Sequence, residues 1–324
     1  MKKPKIVVIV GPTASGKSAL AVRLAKKYNG EIISADSRQV YRGLDIGTAK
    51  ITKREMRGIP HRLIDVAHPK RAYTVVDFKQ DAAHAIREIA SRGTLPILVG
   101  GTAFWIDALV HGLIFPNVRS NPSLRRRLGK KSASELFTIL KTLDPERAAA
   151  IDPKNPRRLI RAIEIARTLG RIPPLKKRSP YHTLWIGLNP SPSPLKRRIA
   201  TRAARMIKNG LIRETQTLLK KKISKKRIRE FGFEYRAALD CIEKKITRAE
   251  LRARLTRDTF AYAKRQIRWF KKNKKIRWVK NHARSLPLLI SKTIAGYVPT
   301  TREKSRLPRK SVPAAPRPQS RPHA

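Results

Sequence analysis

The stretch Gly11-Pro12-Thr13-Ala14-Ser15-Gly16-Lys17-Ser18 decides the fold of this chain. An apolar run at residues 6–10 precedes it, and residues 19–28 follow with the composition of a helix. This order of strand, loop and helix, with the spacing G-x-x-x-x-G-K-[ST], is typical of a phosphate-binding loop. The backbone N–H groups of such a loop converge on an anion at a helix N-terminus. We therefore assign the whole stretch to diphosphate binding, with a glycine-rich turn as the alternative.

Two side chains at the end of the loop add specific chemistry. Lys17 would place a positive charge beside the anion, and the hydroxyl of Ser18 would ligate Mg²⁺. The loop does not say which diphosphate it holds. Most phosphate loops belong to NTPases or kinases, but the sequence has neither the Asn-Lys-x-Asp motif of a GTPase nor the strand-end Asp-Glu pair of a motor ATPase. A small-molecule kinase with Asp36 as its base stays open.

Alternating apolar runs and helical patterns predict an α/β fold, a P-loop NTPase-like parallel sheet flanked by helices. Ligands of such sheets bind outside the carboxyl ends of the strands. Asp36 ends one predicted strand and Thr102 follows another, so both are expected beside the loop. The segment 75–92 has the periodicity of a helix. The predicted strands are residues 6–10, 31–36, 63–66, 96–99 and 183–188.

Between about residues 117 and 182 the sequence has no apolar run that predicts a strand. The segments 124–128, 134–142 and 156–169 carry helical patterns and are separated by proline-containing breaks. We predict an inserted helical domain at 117–182, within a discontinuous catalytic core made of 1–116 and 183–290. The remaining residues, 291–324, alternate proline with Arg and Lys and lack the apolar content of a core, so we expect a disordered tail.

The net charge of +53 argues for a polyanionic partner. It is unevenly distributed, because residues 1–116 carry 19 Lys and Arg against 9 Asp and Glu, whereas the rest of the chain carries 56 against 13. Clustered cations displace counterions from phosphates, which makes nucleic acid the first candidate. The alternative is a host whose proteins are all basic.

Several classes of protein are excluded by composition. A single cysteine, Cys241, leaves no intramolecular disulfide and no thiolate zinc cluster, and the seven histidines show no metal spacing. No apolar run approaches the roughly 20 residues that span a bilayer. The apolar run at 6–10 is too short for a signal peptide and leads straight into the loop. We expect a cytoplasmic monomer without a membrane partner.

The phosphate loop and the segments 34–50, 60–65 and 99–102 together closely resemble bacterial tRNA dimethylallyltransferases. The most specific is the run 34–50, which reads SADSRQVYRGLDIGTAK, whereas the phosphate loop is shared by many families. The match continues at 60–65 (PHRLID) and 99–102 (VGGT), and through 152–165 and 256–270. It covers roughly residues 5–280 and leaves out the basic tail.

The resemblance implies a reaction that the motifs alone left open. Dimethylallyl diphosphate would be held by the loop, and its C5 unit would move to N6 of adenosine 37, beside the anticodon of tRNA. Lys17 and Mg²⁺ on Ser18 would stabilise the leaving diphosphate, and Arg202 would clamp it. Asp36 would accept an N6–H as general base, and Thr102 would position the reacting groups. The alternatives are a solvated helix charge for Arg202, a turn cap for Asp36 and a helix N-cap for Thr102.

The resemblance also implies contacts with the anticodon stem-loop of tRNA, whose target base must be extruded before it can react. This chain departs from the family twice: Arg157-Arg158 stands where the family usually has Gln-Arg, and Gly232-Phe233-Glu234 alters the familiar Gly-Tyr-[Lys/Arg]. Phosphate contacts are therefore expected more firmly than base-specific ones. A solvated face is the alternative for each arginine. The implied tRNA contacts are Asp36, Ser37, Arg38, Gln39, Thr102, Arg125, Arg157, Arg158, Leu159, Ile160, Arg161, Arg229, Glu230, Phe231, Gly232, Phe233 and Glu234.

Three other functions are alternatives to prenyl transfer to tRNA. An ATP-dependent kinase fits the loop but not the run 34–50, and an enzyme that prenylates free adenine nucleotides fits the chemistry. The helical insertion and the charge of the later part of the chain favour RNA over a free nucleotide. A non-catalytic RNA-binding protein conflicts with the intact Lys17, Ser18 and Asp36.

Overall fold

The computed structural model describes residues 3–174, 177–279, 294, 296 and 297. Its apolar runs form one six-stranded sheet with the order β3-β2-β4-β1-β5-β6, and every pairing is parallel. This confirms the predicted fold class. The strands are β1 Lys5–Val10, β2 Gly30–Ala35, β3 His61–Arg62, β4 Leu95–Gly100, β5 His182–Leu188 and β6 Arg277–Val279.

The register of the central strands explains where a ligand can bind. The side chains of residues 6–10 in β1 are fully buried, as expected for a parallel strand covered on both faces. Val10 at the end of β1 lies opposite Gly100 at the end of β4, which in turn lies opposite Ala35 at the end of β2. The segments that follow these three strands therefore leave the sheet at one edge.

Helices fill the connections between the strands. Several begin at a capping box, in which a Thr or Ser side chain and a Glu three residues later bond to each other's backbone N–H groups, as at Thr52, Ser132 and Thr247. The helices are α1 Lys17–Tyr28, α2 Lys53–Met56, α3 Val75–Ser91, α4 Ala103–Val110, α5 Pro122–Leu128, α6 Ala133–Leu143, α7 Pro145–Ala150, α8 Pro156–Leu169, α9 Pro192–Lys208, α10 Leu211–Lys220, α11 Lys225–Glu230, α12 Phe233–Ile242 and α13 Arg248–Phe270.

One predicted strand is wrong. Residues 63–66 form no strand, because Leu63 (φ 63°) and Asp65 (φ 57°) adopt the left-handed conformation, and the short strand β3 lies just before them. The apolar residues of this segment reflect burial of Leu63 in a turn rather than pairing in the sheet.

The chain divides into two compact units. Unit 1 takes residues 1–73, 81–103 and the chain from 182 onward, and unit 2 takes 74–80 and 104–181. The core of unit 1 lies around β1, β4 and α1, and the core of unit 2 lies between α5, α6 and α8. The predicted helical insertion thus falls within unit 2 up to residue 181, and unit 2 also includes residues before it.

Two residues of the predicted tail, Ile294 and Tyr297, pack within unit 1. Ile294 is fully buried in its core, and the Tyr297 hydroxyl donates to the carbonyl of His182 at 2.6 Å. The predicted disorder is therefore wrong for these two residues, because their side chains are apolar enough to pack. The rest of 291–324, apart from Gly296, lies outside the described residues. Across the described chain, the helices are too short or too polar to cross a membrane.

Candidate active site

The ends of β1, β2 and β4 open into a cavity of about 1410 Å³ in unit 1. The phosphate loop, the turn after β2 and the segment 45–52 line it, together with residues of α9, α12 and α13. The cavity brings together Lys17, Asp36, Arg202 and Glu234, which are far apart in the sequence. It is large enough to hold both a diphosphate ester and a second substrate.

The phosphate loop has the backbone that an anion site needs. Gly16 (φ 88°) caps the N-terminus of α1 in a left-handed conformation, which turns the first N–H groups of the helix toward the cavity. At Gly11 a Cβ would lie 2.9 Å from the carbonyl oxygen of Leu188, so a side chain there would push the loop away from β5. Both glycines are therefore required by the fold of the loop.

Lys17 is held close to the loop, and its pKa is lowered. Its Nζ donates to the carbonyl of Pro12 at 3.2 Å. Burial lowers the pKa of Lys17 to about 8, with the Asp36 carboxylate opposing the shift and the Arg202 guanidinium adding to it. An anion bound beside Lys17 would favour the charged amine, so the site has a cation available for a diphosphate.

Arg202 reaches the loop from α9. Its Nη1 donates to the hydroxyl of Thr13 at 2.9 Å. Burial lowers the pKa of the Arg202 guanidinium, while the carboxylates of Glu234 and Asp36 act in the opposite direction. Arg202 is therefore not a solvated charge on a helix surface, and its guanidinium lies where a diphosphate in the loop would meet it.

Gln266 of α13 also holds the loop, a role that no motif in the sequence predicts. Its Oε1 accepts from the N–H of Thr13 at 2.8 Å, and its Nε2 donates to the carbonyl of Gly101 at 2.8 Å. A Cβ at Gly101 would come within 2.2 Å of this Nε2. The only signal in the sequence was the family match through 256–270, in which Gln266 lies.

Asp36 combines a structural contact with an available oxygen. Its Oδ1 accepts from the N–H groups of Arg38 at 2.9 Å and Gln39 at 3.3 Å, which is the turn cap considered as an alternative. No donor among the described residues reaches Oδ2, and Asp36 lines the cavity. The cap therefore fixes the carboxylate and leaves one oxygen to accept a hydrogen bond from a ligand.

Thr102 ties the turn after β2 to the end of β4. Its Oγ1 accepts from the N–H of Ser37 at 3.0 Å, and its own N–H donates to the carbonyl of Ala35 at 3.2 Å. The hydroxyl is thus engaged with the residue that follows Asp36. This geometry makes Thr102 a support for the Asp36 turn.

The opposite wall carries acidic and aromatic side chains. Burial raises the pKa of Glu234 to about 7; its own backbone N–H and the cations Arg202 and Arg38 oppose this shift, and Asp36 adds to it. Burial also raises the pKa of Tyr262 to about 12, with Asp36 adding to the shift. The rings of Phe233 and Tyr262 lie 6.0 Å apart between centroids. These rings offer apolar faces to a base that enters the cavity.

The segment 229–234 divides into two parts. Arg229 forms ion pairs with Asp240 (2.7 Å) and Glu243 (3.0 Å), and Glu230 pairs with Arg227. The cavity is lined by Gly232, Phe233 and Glu234. Phe231 also borders it, although its side chain is buried. The first part therefore makes contacts within the protein, and the second faces the space where a substrate would lie.

In unit 2, two of the implied tRNA contacts surround a buried carboxylate. Glu164 is 1% exposed and accepts from Arg125, from Arg161 and from the N–H of Asn121 at 2.6 Å. Burial alone would raise the pKa of Glu164, but these donors outweigh it and lower the pKa. Arg125 and Arg161 thus stabilise unit 2 whatever else they bind.

The residues at the start of α8 differ in accessibility. Leu159 is fully buried in the core of unit 2, so its side chain is not accessible to RNA, which is a correction to the implied contact. Ile160 is half-buried, whereas Arg157 and Arg158 are exposed. The two exposed arginines are the residues of this group that can meet phosphates.

The cavity offers few protein ligands to Mg²⁺, so it fits an ion that is coordinated mainly by phosphate and water oxygens. Among the described residues there is no cluster of three or more His, Cys, Asp or Glu side chains that could hold a metal. Ser18 is exposed and lines the cavity with Asp36. Mg²⁺ commonly takes one or two protein oxygens and completes its shell with water and phosphate oxygens, so Ser18 fits such a site.

Comparison with known proteins extends over most of the chain. A family model described as IPP transferase matches residues 39–273. The tRNA dimethylallyltransferase of Pelotomaculum thermopropionicum is 40% identical over 287 residues, which is 86% of this chain and 91% of that protein. The tRNA dimethylallyltransferase of a Roseiflexus species is 43% identical over 276 residues, with 82% and 90% covered.

Solved structures give the same result. The tRNA isopentenylpyrophosphate transferase of Bacillus halodurans superimposes with a TM-score of 0.71 at 38% identity, covering 94% of this chain and 99% of that one. A eukaryotic dimethylallyltransferase acting on tRNA gives a TM-score of 0.79 at 26% identity, with 92% and 81% covered. With the phosphate loop, Asp36 and Arg202 gathered in one cavity, these matches lead to one conclusion: the chain belongs to the IPP transferase family.

Proposed function

We propose that this chain transfers the dimethylallyl group of dimethylallyl diphosphate to N6 of adenosine 37 in tRNA and releases diphosphate. The observation that carries the proposal is the position of Asp36, whose Oδ2 is available in the same cavity as the phosphate loop. Relatives named tRNA dimethylallyltransferase support the choice of substrates. A kinase would need the same loop, but these relatives do not favour it.

The leaving group is stabilised by the cations at the loop. The diphosphate would accept from the backbone N–H groups at the start of α1, from Lys17 and from Arg202. As the allylic C–O bond breaks, negative charge builds up on the departing oxygen, and these fixed donors stabilise it without reorganisation. Ser18 would hold Mg²⁺, which supplies further charge neutralisation to the diphosphate when it is bound.

Asp36 acts on the acceptor. The lone pair of N6 is delocalised into the adenine ring, which makes the amino group a weak nucleophile. Asp36 Oδ2 would accept one N6–H, orient the amino group, and take this proton as the new bond to the allylic carbon forms. The N–H groups of Arg38 and Gln39 hold the carboxylate in place for this step, and Thr102 holds the adjacent Ser37.

The acceptor base must leave the anticodon loop to reach this position. Phe233 and Tyr262 offer rings to the extruded base, and the exposed Arg157 and Arg158 offer charges to the phosphates of the anticodon stem-loop. We further propose that the protein acts as a monomer in the cytoplasm.

The test offers labelled dimethylallyl diphosphate and Mg²⁺ to tRNA and, separately, to free AMP, with and without ATP labelled in its γ-phosphate. Label in tRNA without ATP supports the proposal, and a tRNA with guanosine at position 37 serves as the unreactive control. Label in free AMP but not in tRNA would support the nucleotide prenyltransferase instead. Transfer of the γ-phosphate of ATP without any prenyl transfer would establish the kinase.

A further inference from the structure

The carboxylate of Glu214 binds a wall of the cavity from outside it. Glu214 lies on α10, and its Oε2 accepts from the N–H groups of Asp45 at 2.9 Å and Ile46 at 2.8 Å. Its Oε1 accepts from the N–H of Gly47 at 3.0 Å and from the hydroxyl of Tyr235 at 2.7 Å. Glu214 does not line the cavity, whereas the three residues whose N–H groups it binds do.

Three successive backbone N–H groups that point to one place form an anion-binding nest. Here the anion is a side chain of the protein itself, and hydrogen bonds to an ionised acceptor are stronger than neutral ones. The approach is close, because a Cβ at Gly47 would lie 2.6 Å from the ring of the fully buried Tyr235. The segment 45–47 is therefore fixed to α10 and α12 by these hydrogen bonds and by the close approach of Gly47 to Tyr235.

Hydrogen bonds, joined by short stretches of the chain itself, connect this nest to the catalytic carboxylate. The carbonyls of Thr48 and Ala49, which directly follow the nest, accept from Gln39 Nε2 at 3.3 and 3.4 Å. The N–H of Gln39 donates to Oδ1 of Asp36. A shift of segment 45–49 would therefore move Gln39, and with it one of the two N–H groups that orient Asp36.

We infer that Glu214 is a positioning residue, which holds segment 45–49 so that Gln39 and Asp36 are aligned for proton transfer. The inference rests on the proposed function, since it assigns Glu214 a part in the same reaction. A carboxylate is needed because all of its contacts at the nest are acceptor contacts. An amide keeps one acceptor oxygen and places an NH₂ group against a donor, and an alanine leaves every N–H of the nest without its partner.

The experiment compares Glu214→Ala and Glu214→Gln with Glu250→Ala. Glu250 is the matched control, because its carboxylate also accepts a backbone N–H, that of Thr247 at 2.6 Å, but at the N-terminus of α13 and outside the cavity lining. For each variant we would measure kcat, the KM of dimethylallyl diphosphate and of tRNA, and Tm. A one-ångström displacement of a reacting group can cost as much as 100-fold in rate.

We expect Glu214→Ala to lower kcat by about 10-fold or more at saturating substrates, with the KM of tRNA changed by less than about threefold. Glu214→Gln should recover part of the loss. The Glu250 variant should lower Tm and leave kcat unchanged. A Glu214→Ala protein with normal kcat, or one whose loss of kcat equals that of the control, overturns the inference.

Two further arms keep the result interpretable. If Glu214→Ala does not fold, Glu214→Gln and Tyr235→Phe are used for the test, because each keeps part of the contact. Normal kcat in both variants overturns the inference. A loss of kcat without a matching loss of Tm supports it. If the unaltered protein transfers no label to tRNA, the proposed function fails. If it does and the variants match it, only the role of Glu214 fails.

Discussion

At the scale of single residues, burial shifts the pKa values of Lys17 and Glu234, which line the same cavity, toward neutral pH. The pKa of Lys17 falls to about 8 and that of Glu234 rises to about 7, each mainly because water is excluded. The charged form of each side chain is thereby disfavoured until an opposite charge arrives. The affinity of the cavity for an anion should therefore depend on pH between about 7 and 8.

The first prediction concerns Lys17. Below pH 8 the Lys17 amine is charged and above pH 8 it loses the proton, so, if Lys17 binds diphosphate as proposed, the affinity for diphosphate should weaken as the pH rises through 8 to 9. Titration calorimetry with inorganic diphosphate from pH 6.5 to 9.5 measures this. Lys17→Arg, which stays charged throughout, controls for titration of diphosphate itself. Parallel pH profiles for both proteins would contradict the assignment.

The second prediction concerns Asp36. Asp36→Asn keeps an oxygen for the turn cap but removes the base, so kcat should fall by about 100-fold or more while the Kd for tRNA stays within about threefold. Single-turnover transfer of label and a filter-binding assay measure the two quantities. Asp36→Ala, which also removes the cap, should lose Tm as well. Near-normal turnover of the Asn variant would exclude Asp36 as the base.

The third prediction concerns Glu234. Its folded pKa, about 7, lies above that of an unfolded chain, so its contribution to stability is present at low pH and is lost as the pH rises through 7. Glu234→Gln should therefore reduce the difference in Tm between pH 5 and pH 8. Glu250→Gln is the control, because backbone contacts lower the pKa of Glu250 and it does not titrate in this window. An unchanged difference in Tm would contradict the burial argument.

At the scale of elements, the sequence predicts those helices and strands that have a clear local pattern of apolar residues. The strands β1, β2, β4 and β5 are buried on both faces and read as apolar runs, and the loop, Asp36 and Thr102 follow from where these strands end. Short elements such as α11, α12 and β6 depend on tertiary packing and have no such pattern. Gln266, Tyr262 and Glu214 reach the site from distant helices, so no local motif indicates them.

The fourth prediction tests the connection between α13 and the phosphate loop. Gln266→Ala leaves the N–H of Thr13 and the carbonyl of Gly101 without their partners, which should cost about 1–3 kcal/mol of unfolding free energy. The Kd for diphosphate should rise, because the loop loses its support. Urea denaturation and calorimetry measure both effects. Arg252→Ala, an exposed position of the same helix, should change neither. Equal effects of the two substitutions would contradict this role of Gln266.

At the scale of the whole molecule, charge governs the encounter with RNA. The excess of cations lies mainly after residue 116, and it includes the exposed Arg157 and Arg158 of unit 2. Part of this charge is paired within the protein, as Arg125 is with Glu164 and Arg229 with Asp240. Formal charge therefore overstates the number of residues that can contact phosphates.

The fifth prediction compares the exposed Arg157 and Arg158 with Arg229, which pairs with Asp240 and Glu243. The Kd for tRNA should rise steeply with salt, and replacing both Arg157 and Arg158 by Ala should reduce the slope of log Kd against log salt by about 1 to 2. Arg229→Ala should leave the slope unchanged and lower Tm, because it leaves Asp240 with one ion pair fewer. A flat salt dependence of the unaltered protein would indicate general basicity of the host instead.

The central place of β1 in the sheet has a consequence for biosynthesis. β1 is made first, yet Val7 pairs with Ile97 on one side and Leu184 on the other, and the loop that follows β1 is completed by Gln266 near the end of the described core. Such long-range pairing folds slowly, because distant parts of the chain must meet first. On the ribosome, the segment that we propose to bind diphosphate is thus completed only after residue 266 has emerged, and a translation product that stops before it would lack this support of the loop.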